Sequence, residues 1–230
     1  MDVKIIPILD DNYAYVIQSA GVVGVIDPGE SKPIIDYLES ENLSLDWVIN
    51  THKHWDHVNG NKKLIEKYGA KLAAPAECEG TPDELLEDGK PFLFGATEFL
   101  VILTVGHTMG HVVLFDSTYR ILFSADTLFV MGCGRIFEGT MDDMYQSMCA
   151  IKNLPPETAI YGGHEYTPAN IEFAKHILPD NLAIFERAEV LASQKCTMPT
   201  TLADELSTNP FLIANDLDEF TRYRKAKDNF

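Results

Sequence analysis

Four short polar segments, each set against a β-type apolar run, constrain this 230-residue chain more than any other feature. The densest is Thr51-His52-Lys53-His54-Trp55-Asp56-His57, which follows the apolar stretch Asp46-Trp47-Val48-Ile49-Asn50. The others are Gly106-His107-Thr108-Met109-Gly110-His111, Phe123-Ser124-Ala125-Asp126-Thr127 and Gly162-Gly163-His164-Glu165-Tyr166. Strand ends are where a rigid sheet can hold polar side chains at fixed separations. Residues two apart in extended chain project to the same side, so His52 and His54 can converge on one cation while Asp56 and His57, past the bend, face another. Imidazole nitrogen suits zinc, iron and related metals, and a carboxylate has two oxygens that can bridge a pair of ions. His52, His54, His57, His107 and His164 with Asp56 and Asp126 therefore form a donor set large enough for two adjacent metals with room left for water.

Each segment also has a plainer explanation. A lone histidine in a loop is usually solvated or packed, which is the reading for His176 inside a helical stretch. His111 directly enters an apolar strand and reads as a group that supports a ligand, or as a structural residue. Asp126 taken alone could simply cap a turn. Four such segments together are much harder to explain as packing.

The chain between these segments reads as α/β. Tyr13 to Ile17 and Val22 to Ile26 form an expected antiparallel pair ending at the turn Asp27-Pro28-Gly29, with further strands at 71–74, 98–105, 111–115, 120–124 and 159–161. Amphipathic spacing places helices at 31–42 and 60–68, and Thr140 with Asp143 supplies a capping-box signal for a helix over 140–153. After Tyr166 the pattern changes: Thr167-Pro168 opens a helix with proline at its first position, and everything beyond favours helix. The expected division is a body over 1–166 and a small helical domain over 167–230.

Size and composition exclude several classes. A hydrophobic share of 46% with 23% charged residues fits a folded globular protein. No apolar run approaches a membrane span and no secretory leader is evident, so a cytoplasmic location and no membrane partner are expected. Cys78, Cys133, Cys149 and Cys196 form no paired motif and read as free thiols. A formal charge of −17 argues against a nucleic-acid partner, because phosphate binding needs clustered cations.

The T-H-x-H-x-D-H, G-H-T-x-G-H, S-A-D-T-L-F and G-G-H-E-Y segments resemble the metallo-β-lactamase superfamily. The run Asp126-Thr127-Leu128-Phe129 leading to Gly132-Cys133-Gly134-Arg135, together with His164-Glu165-Tyr166, Asn209-Pro210-Phe211 and the tail Lys227-Asp228-Asn229-Phe230, resembles the glyoxalase II enzymes within it. The resemblance implies an α/β fold, an αββα sandwich with a small C-terminal helical domain that helps to form the substrate site. It implies two divalent metal ions per chain, zinc first, with iron or manganese also accommodated. His52, His54 and His107 would hold one, Asp56, His57 and His164 the other, and Asp126 would bridge them, while His111 falls on a position that is not a direct ligand. It implies hydrolysis of a glutathione thioester, S-D-lactoylglutathione or a related 2-hydroxyacyl thioester, with Asp56 orienting the nucleophile. Arg135, Tyr166, Arg224 and Lys227 match positions that face the glutathione moiety. Phe137 stands where some relatives carry a tyrosine, and Ile213 where many carry an arginine. A persulfide dioxygenase of the same superfamily, or a non-catalytic thiol-binding module, are the competing readings; neither explains the complete donor set as well.

Overall fold

The computed structural model describes residues 1–230, and the chain separates into two compact units. The first comprises Met1–Leu103 with Gly110–Tyr119, and the second Thr104–Met109 with Arg120–Phe230.

In the first unit, Asp2–Ile8, Asn12–Ser19 and Val22–Ile26 pair antiparallel in succession. The sheet then continues parallel through Trp47–Ile49, Lys71–Ala74 and Glu84–Leu85. Helices Ser31–Ser40 and Asn61–Tyr68 make the crossovers that parallel neighbours require. Their apolar stripes, Ile34, Ile35 and Leu38 on one and Leu64 on the other, pack with Val16, Val25, Val48 and Leu72 of the sheet. The first strand was not expected, because Pro7 interrupts its apolar run; proline is tolerated there because Asp2–Ile8 is an edge strand.

A second set of strands in this unit, Pro91–Phe94, Thr97–Leu103 and Val112–Asp116, is antiparallel. Thr97–Leu103 alternates buried and exposed residues, as a strand covered on one face must. Phe94 reaches the first sheet at Gly24, where a Cβ would lie 2.7 Å from the Phe94 ring. The absent side chain at Gly24 is what lets that ring pack.

The second unit pairs Ile121–Ala125 parallel with Ala159–Gly162, which also pairs antiparallel with the two-residue strand Thr200–Thr201. That strand lies in a stretch read as wholly helical; two residues are too few to show a period. Helix Met141–Lys152 starts with the expected reciprocal cap between Thr140 and Asp143, and Thr167–Ile177 carries Pro168 in its first turn. Leu182–Leu191, Leu202–Thr208, Pro210–Ile213 and Leu217–Asp228 complete the helical region.

These helices grip a small hairpin, Leu128–Phe129 with Gly132–Cys133. The fully buried Glu205 carboxylate accepts from the Met131 backbone N–H at 2.8 Å and from Asn209 Nδ2 at 2.9 Å, and its other oxygen receives Arg187 Nη2 at 2.6 Å and Thr200 Oγ1 at 2.8 Å. Asn209 Nδ2 also donates to the Gly132 carbonyl, and Asn170 Nδ2 to the Val130 carbonyl, each at 3.0 Å. A buried carboxylate is tolerated only when its lone pairs are met, and here both oxygens are. The hairpin that follows Asp126 is thereby tied to the C-terminal helices. No helix is long and apolar enough to cross a membrane, and all four cysteines are free thiols.

Candidate metal centre and anion pocket

The first unit gathers His52, His54, Asp56 and His57 where Trp47–Ile49 runs into a loop and the short helix Trp55–Val58. Behind them sits Asp27, in left-handed backbone at φ 51° and almost wholly buried. Its Oδ1 accepts the Thr51 backbone N–H at 2.8 Å, and its Oδ2 accepts the Thr51 hydroxyl at 2.6 Å and His57 Nδ1 at 3.1 Å. The Thr51 hydroxyl hydrogen is thus engaged in donating to Asp27, so at 3.0 Å its oxygen accepts from His52 Nδ1.

Both tautomers follow from this one carboxylate. His52 and His57 donate through Nδ1, and each presents the lone pair of Nε2. His57 Nε2 lies 3.7 Å from Asp56 Oδ2, and His52 Nε2 lies 3.1 Å from His54 Nδ1. Asp27, His52 and His57 have ligand atoms within 4.8 Å of one another, but the three hydrogen bonds on Asp27 make it an orienting group. Asp56 is itself held by Asn12, whose Nδ2 donates to Oδ2 at 3.0 Å. Gly29 is needed beside it, since a Cβ there would fall 1.7 Å from the Asp56 carbonyl oxygen. His111 is fully buried and stacks on the His52 ring at 4.7 Å.

The second unit repeats the logic with His107, Asp126 and His164. Asp126 stands just past Ile121–Ala125, and His164 just past Ala159–Gly162. His107 Nδ1 donates to the Arg135 carbonyl at 2.9 Å, which leaves Nε2 facing Asp126 Oδ2 at 3.2 Å. His164 Nε2 approaches the same oxygen at 3.3 Å, and its ring stacks on Tyr166 at 4.6 Å with planes 7° apart. Close backbone approach again calls for glycine: a Cβ on Gly134 would sit 1.8 Å from the Asp126 carbonyl oxygen.

These separations match what a cation requires of its donors. Nitrogen ligands at roughly 2.0–2.1 Å in tetrahedral array lie about 3.3 Å apart, and the donor pairs here fall at 3.1, 3.2 and 3.3 Å. Anchoring the far nitrogen of a metal-binding histidine to a carboxylate or carbonyl is the usual way of fixing its tautomer. Asp27 and Asn12 are the contributors that sequence reading missed. Asp27 follows a strand just as Asp126 does, so the strand-end rule could have found it.

The four residues expected at the substrate line one cavity of the second unit, about 310 Å³ in volume, with Cys133 and Asp228. They are not equivalent. Arg135 is largely exposed and lies over the Phe137 ring at 5.9 Å. Lys227 donates to the Ala169 carbonyl at 2.9 Å, and burial, reinforced by Arg224, pushes its pKa down. Arg224 is buried; Nη1 donates to the Cys133 carbonyl at 3.0 Å, while Nη2 and Nε reach Asp228 Oδ1 at 2.8 and 3.1 Å. Burial also raises the pKa of the Cys133 thiol beside it. His176 lies apart from these groups, within Thr167–Ile177 and against Phe230 at 5.3 Å.

Comparison with known proteins places this arrangement. Residues 8–164 match the model of the metallo-beta-lactamase superfamily, and residues 165–230 match that of the hydroxyacylglutathione hydrolase C-terminus. A hydroxyacylglutathione hydrolase of Pelagibacter ubique is 39% identical over the full length of both chains. One from Acidiphilium cryptum is 41% identical over 98% of this chain and 95% of its own. Among solved structures, ETHE1 from Myxococcus xanthus superposes with a TM-score of 0.76 at 22% identity over 98% of this chain and 90% of its own. TTHA1623, solved in a di-iron-bound form, gives 0.67 at 24% over 92% and 100%. At such identity these two structures speak for the fold alone, the metallo-β-lactamase fold with a helical C-terminal region. From the family matches and the full-length relatives together, the chain belongs to the metallo-beta-lactamase superfamily and, within it, to the hydroxyacylglutathione hydrolases.

Proposed function

We propose that the chain is a dinuclear-metal thioester hydrolase that converts S-D-lactoylglutathione, or a related 2-hydroxyacyl glutathione, to the free acid and glutathione. His52, His54 and His107 would hold one metal and Asp56, His57 and His164 the second, with Asp126 available to both; zinc fits the donors, as do iron and manganese. The observation that carries the reading is the single Asp126 oxygen lying 3.2 Å from His107 and 3.3 Å from His164, one histidine from each set. Residues 1–166 supply the catalytic groups together with Arg135 and Tyr166, and 167–230 supply Arg224 and Lys227.

When bound, the metals lower the pKa of water toward neutrality and polarise the substrate carbonyl. The side chains do the rest. Asp56, aimed by Asn12, accepts a hydrogen bond from the attacking water and points it at the thioester carbon. Asp27 and the Arg135 carbonyl keep His57, His52 and His107 in the tautomers that ligate. The departing sulfur belongs to a thiol with a pKa near roughly 8.5, so it leaves without a strong general acid. Arg135, Lys227 and Tyr166 hold the glutathione moiety, with Arg224 behind them.

The test is thiol release from S-D-lactoylglutathione, measured alongside metal content per chain. Two metals with prompt thiol release is the expected result. A chain carrying two metals and releasing no thiol sinks the hydrolase reading. One metal, with oxygen consumption on glutathione persulfide, replaces it with the dioxygenase.

A further inference from the structure

The cavity that holds the three cations also holds a carboxylate. Arg135, Arg224, Lys227 and Asp228 together leave a formal surplus of two positive charges. Asp228 Oδ1 alone draws on both arginines: it takes Arg224 Nη2 at 2.8 Å and Nε at 3.1 Å, and lies 3.8 Å from Arg135 Nε. Arg224 cannot turn away, because Nη1 is bound to the Cys133 carbonyl and the guanidinium lies over the Phe211 ring at 5.1 Å.

One oxygen thus does to these cations what an incoming carboxylate would do. Asp228 fixes the fork of Arg224 and neutralises its charge, and it draws the exposed Arg135 toward the same point. Both consequences act on any anion that enters.

Building on the hydrolase reading, we infer that Asp228 is a positioning and specificity-determining residue, which aims the two arginines and holds down the affinity of the pocket for carboxylate-bearing thiols. The purpose follows from the reaction. Hydrolysis removes the acyl group and leaves both glutathione carboxylates in place, so charge in this pocket strengthens substrate and product binding alike. Uniform binding of that kind does not speed the chemical step. An internal carboxylate keeps the cations ordered yet lets the released thiol depart.

Asp228→Asn tests this, because the amide keeps the size of the side chain and an oxygen that accepts from Arg224 while removing the charge. At low ionic strength, KM for S-D-lactoylglutathione should fall roughly three- to tenfold, the scale of one partly screened charge across a few ångströms. The dissociation constant of S-methylglutathione, a thioether that cannot be hydrolysed, should fall by the same factor in titration calorimetry on the metal-loaded chain. The gain should shrink with added salt and vanish for the dimethyl ester of the ligand, neither of which a loss of packing would produce. Asp228→Glu, which restores the charge, should return both constants toward wild type.

Unchanged or weakened binding of S-methylglutathione by Asp228→Asn overturns the inference while leaving the hydrolase reading intact, provided the wild type releases thiol. Binding by neither protein overturns it too. Tighter binding by the variant, with no thiol release from any glutathione thioester by the wild type, upholds the role of Asp228 and removes the hydrolase reading alone.

Discussion

The proposed metal donors and the cations of the proposed substrate cavity are both backed by other polar groups, but the backing falls at opposite ends. At His52, His57 and His107 the partner takes Nδ1, and Nε2 is the nitrogen left toward the other proposed donors. At Arg224 the partners take the charged group itself, and at Lys227 the ammonium already donates to a carbonyl. A ligand that must hold a metal is fixed with its lone pair presented. A cation that must hold and then release an organic anion is fixed with part of its charge already answered.

The sharpest way to break this contrast is at the centre of the donor set. Asp126→Asn should lower thiol release by roughly 10²–10³-fold, the scale seen when a group central to charge stabilisation is lost, and should reduce metal content below two per chain. Circular dichroism should remain native. An Asp126→Asn chain that keeps two metals and near-normal turnover would show that the oxygen shared by His107 and His164 is not a bridge.

Asp27→Asn is predicted to act more mildly and in a different way. No proposed ligand is removed, but the carboxylate that sets the His57 and Thr51 hydrogen bonds is weakened, and supporting groups of this kind typically change metal affinity by about 10–100-fold. Activity measured against added metal separates the two variants. Excess zinc should restore much of the Asp27→Asn turnover and little of the Asp126→Asn turnover; equal rescue would mean that Asp27 does not act through His57.

How much of this could be read from the chain alone follows the same division. The donor segments were legible because each lies within a few residues and beside an apolar run, and the capping box at Thr140 and the proline at 168 were legible for the same local reason. Asp27 was not, since its partners Thr51 and His57 are 24 and 30 residues away. Asp228 was visible only as part of a terminal motif; nothing local announces that its oxygen meets Arg224 and Arg135 together. The strand Thr200–Thr201 exists because it pairs with Ala159 and Ile160, a partnership that two residues of sequence cannot signal. Chemistry-bearing residue types could thus be named from sequence, whereas the groups that aim them emerged from tertiary pairing.

The finest distinction between the two regions is one of pH. Burial is the first cause that lowers the Lys227 pKa from 10.5, and Arg224 adds to it, while the Cys133 thiol opposes. Lys227 therefore loses its charge earlier on the alkaline side than an ordinary lysine, whereas the arginines keep theirs. As pH rises through that lowered value, KM for the glutathione thioester should increase. Stability should rise while binding weakens. Between the folded-state pKa and 10.5 the unfolded chain binds more protons than the folded one, so this residue's contribution makes stability rise with pH across that window, and its destabilising effect is fully present below it. Binding that weakens while stability grows, with KM and the urea midpoint both rising over the same alkaline interval, identifies a buried cation facing a substrate anion. Lys227→Met should flatten both, while Arg135→Lys should leave the stability slope in place. A Lys227→Met chain whose KM still climbs over that interval would assign the alkaline change to the metal centre and reduce Lys227 to a packing residue over Phe173 and Phe230.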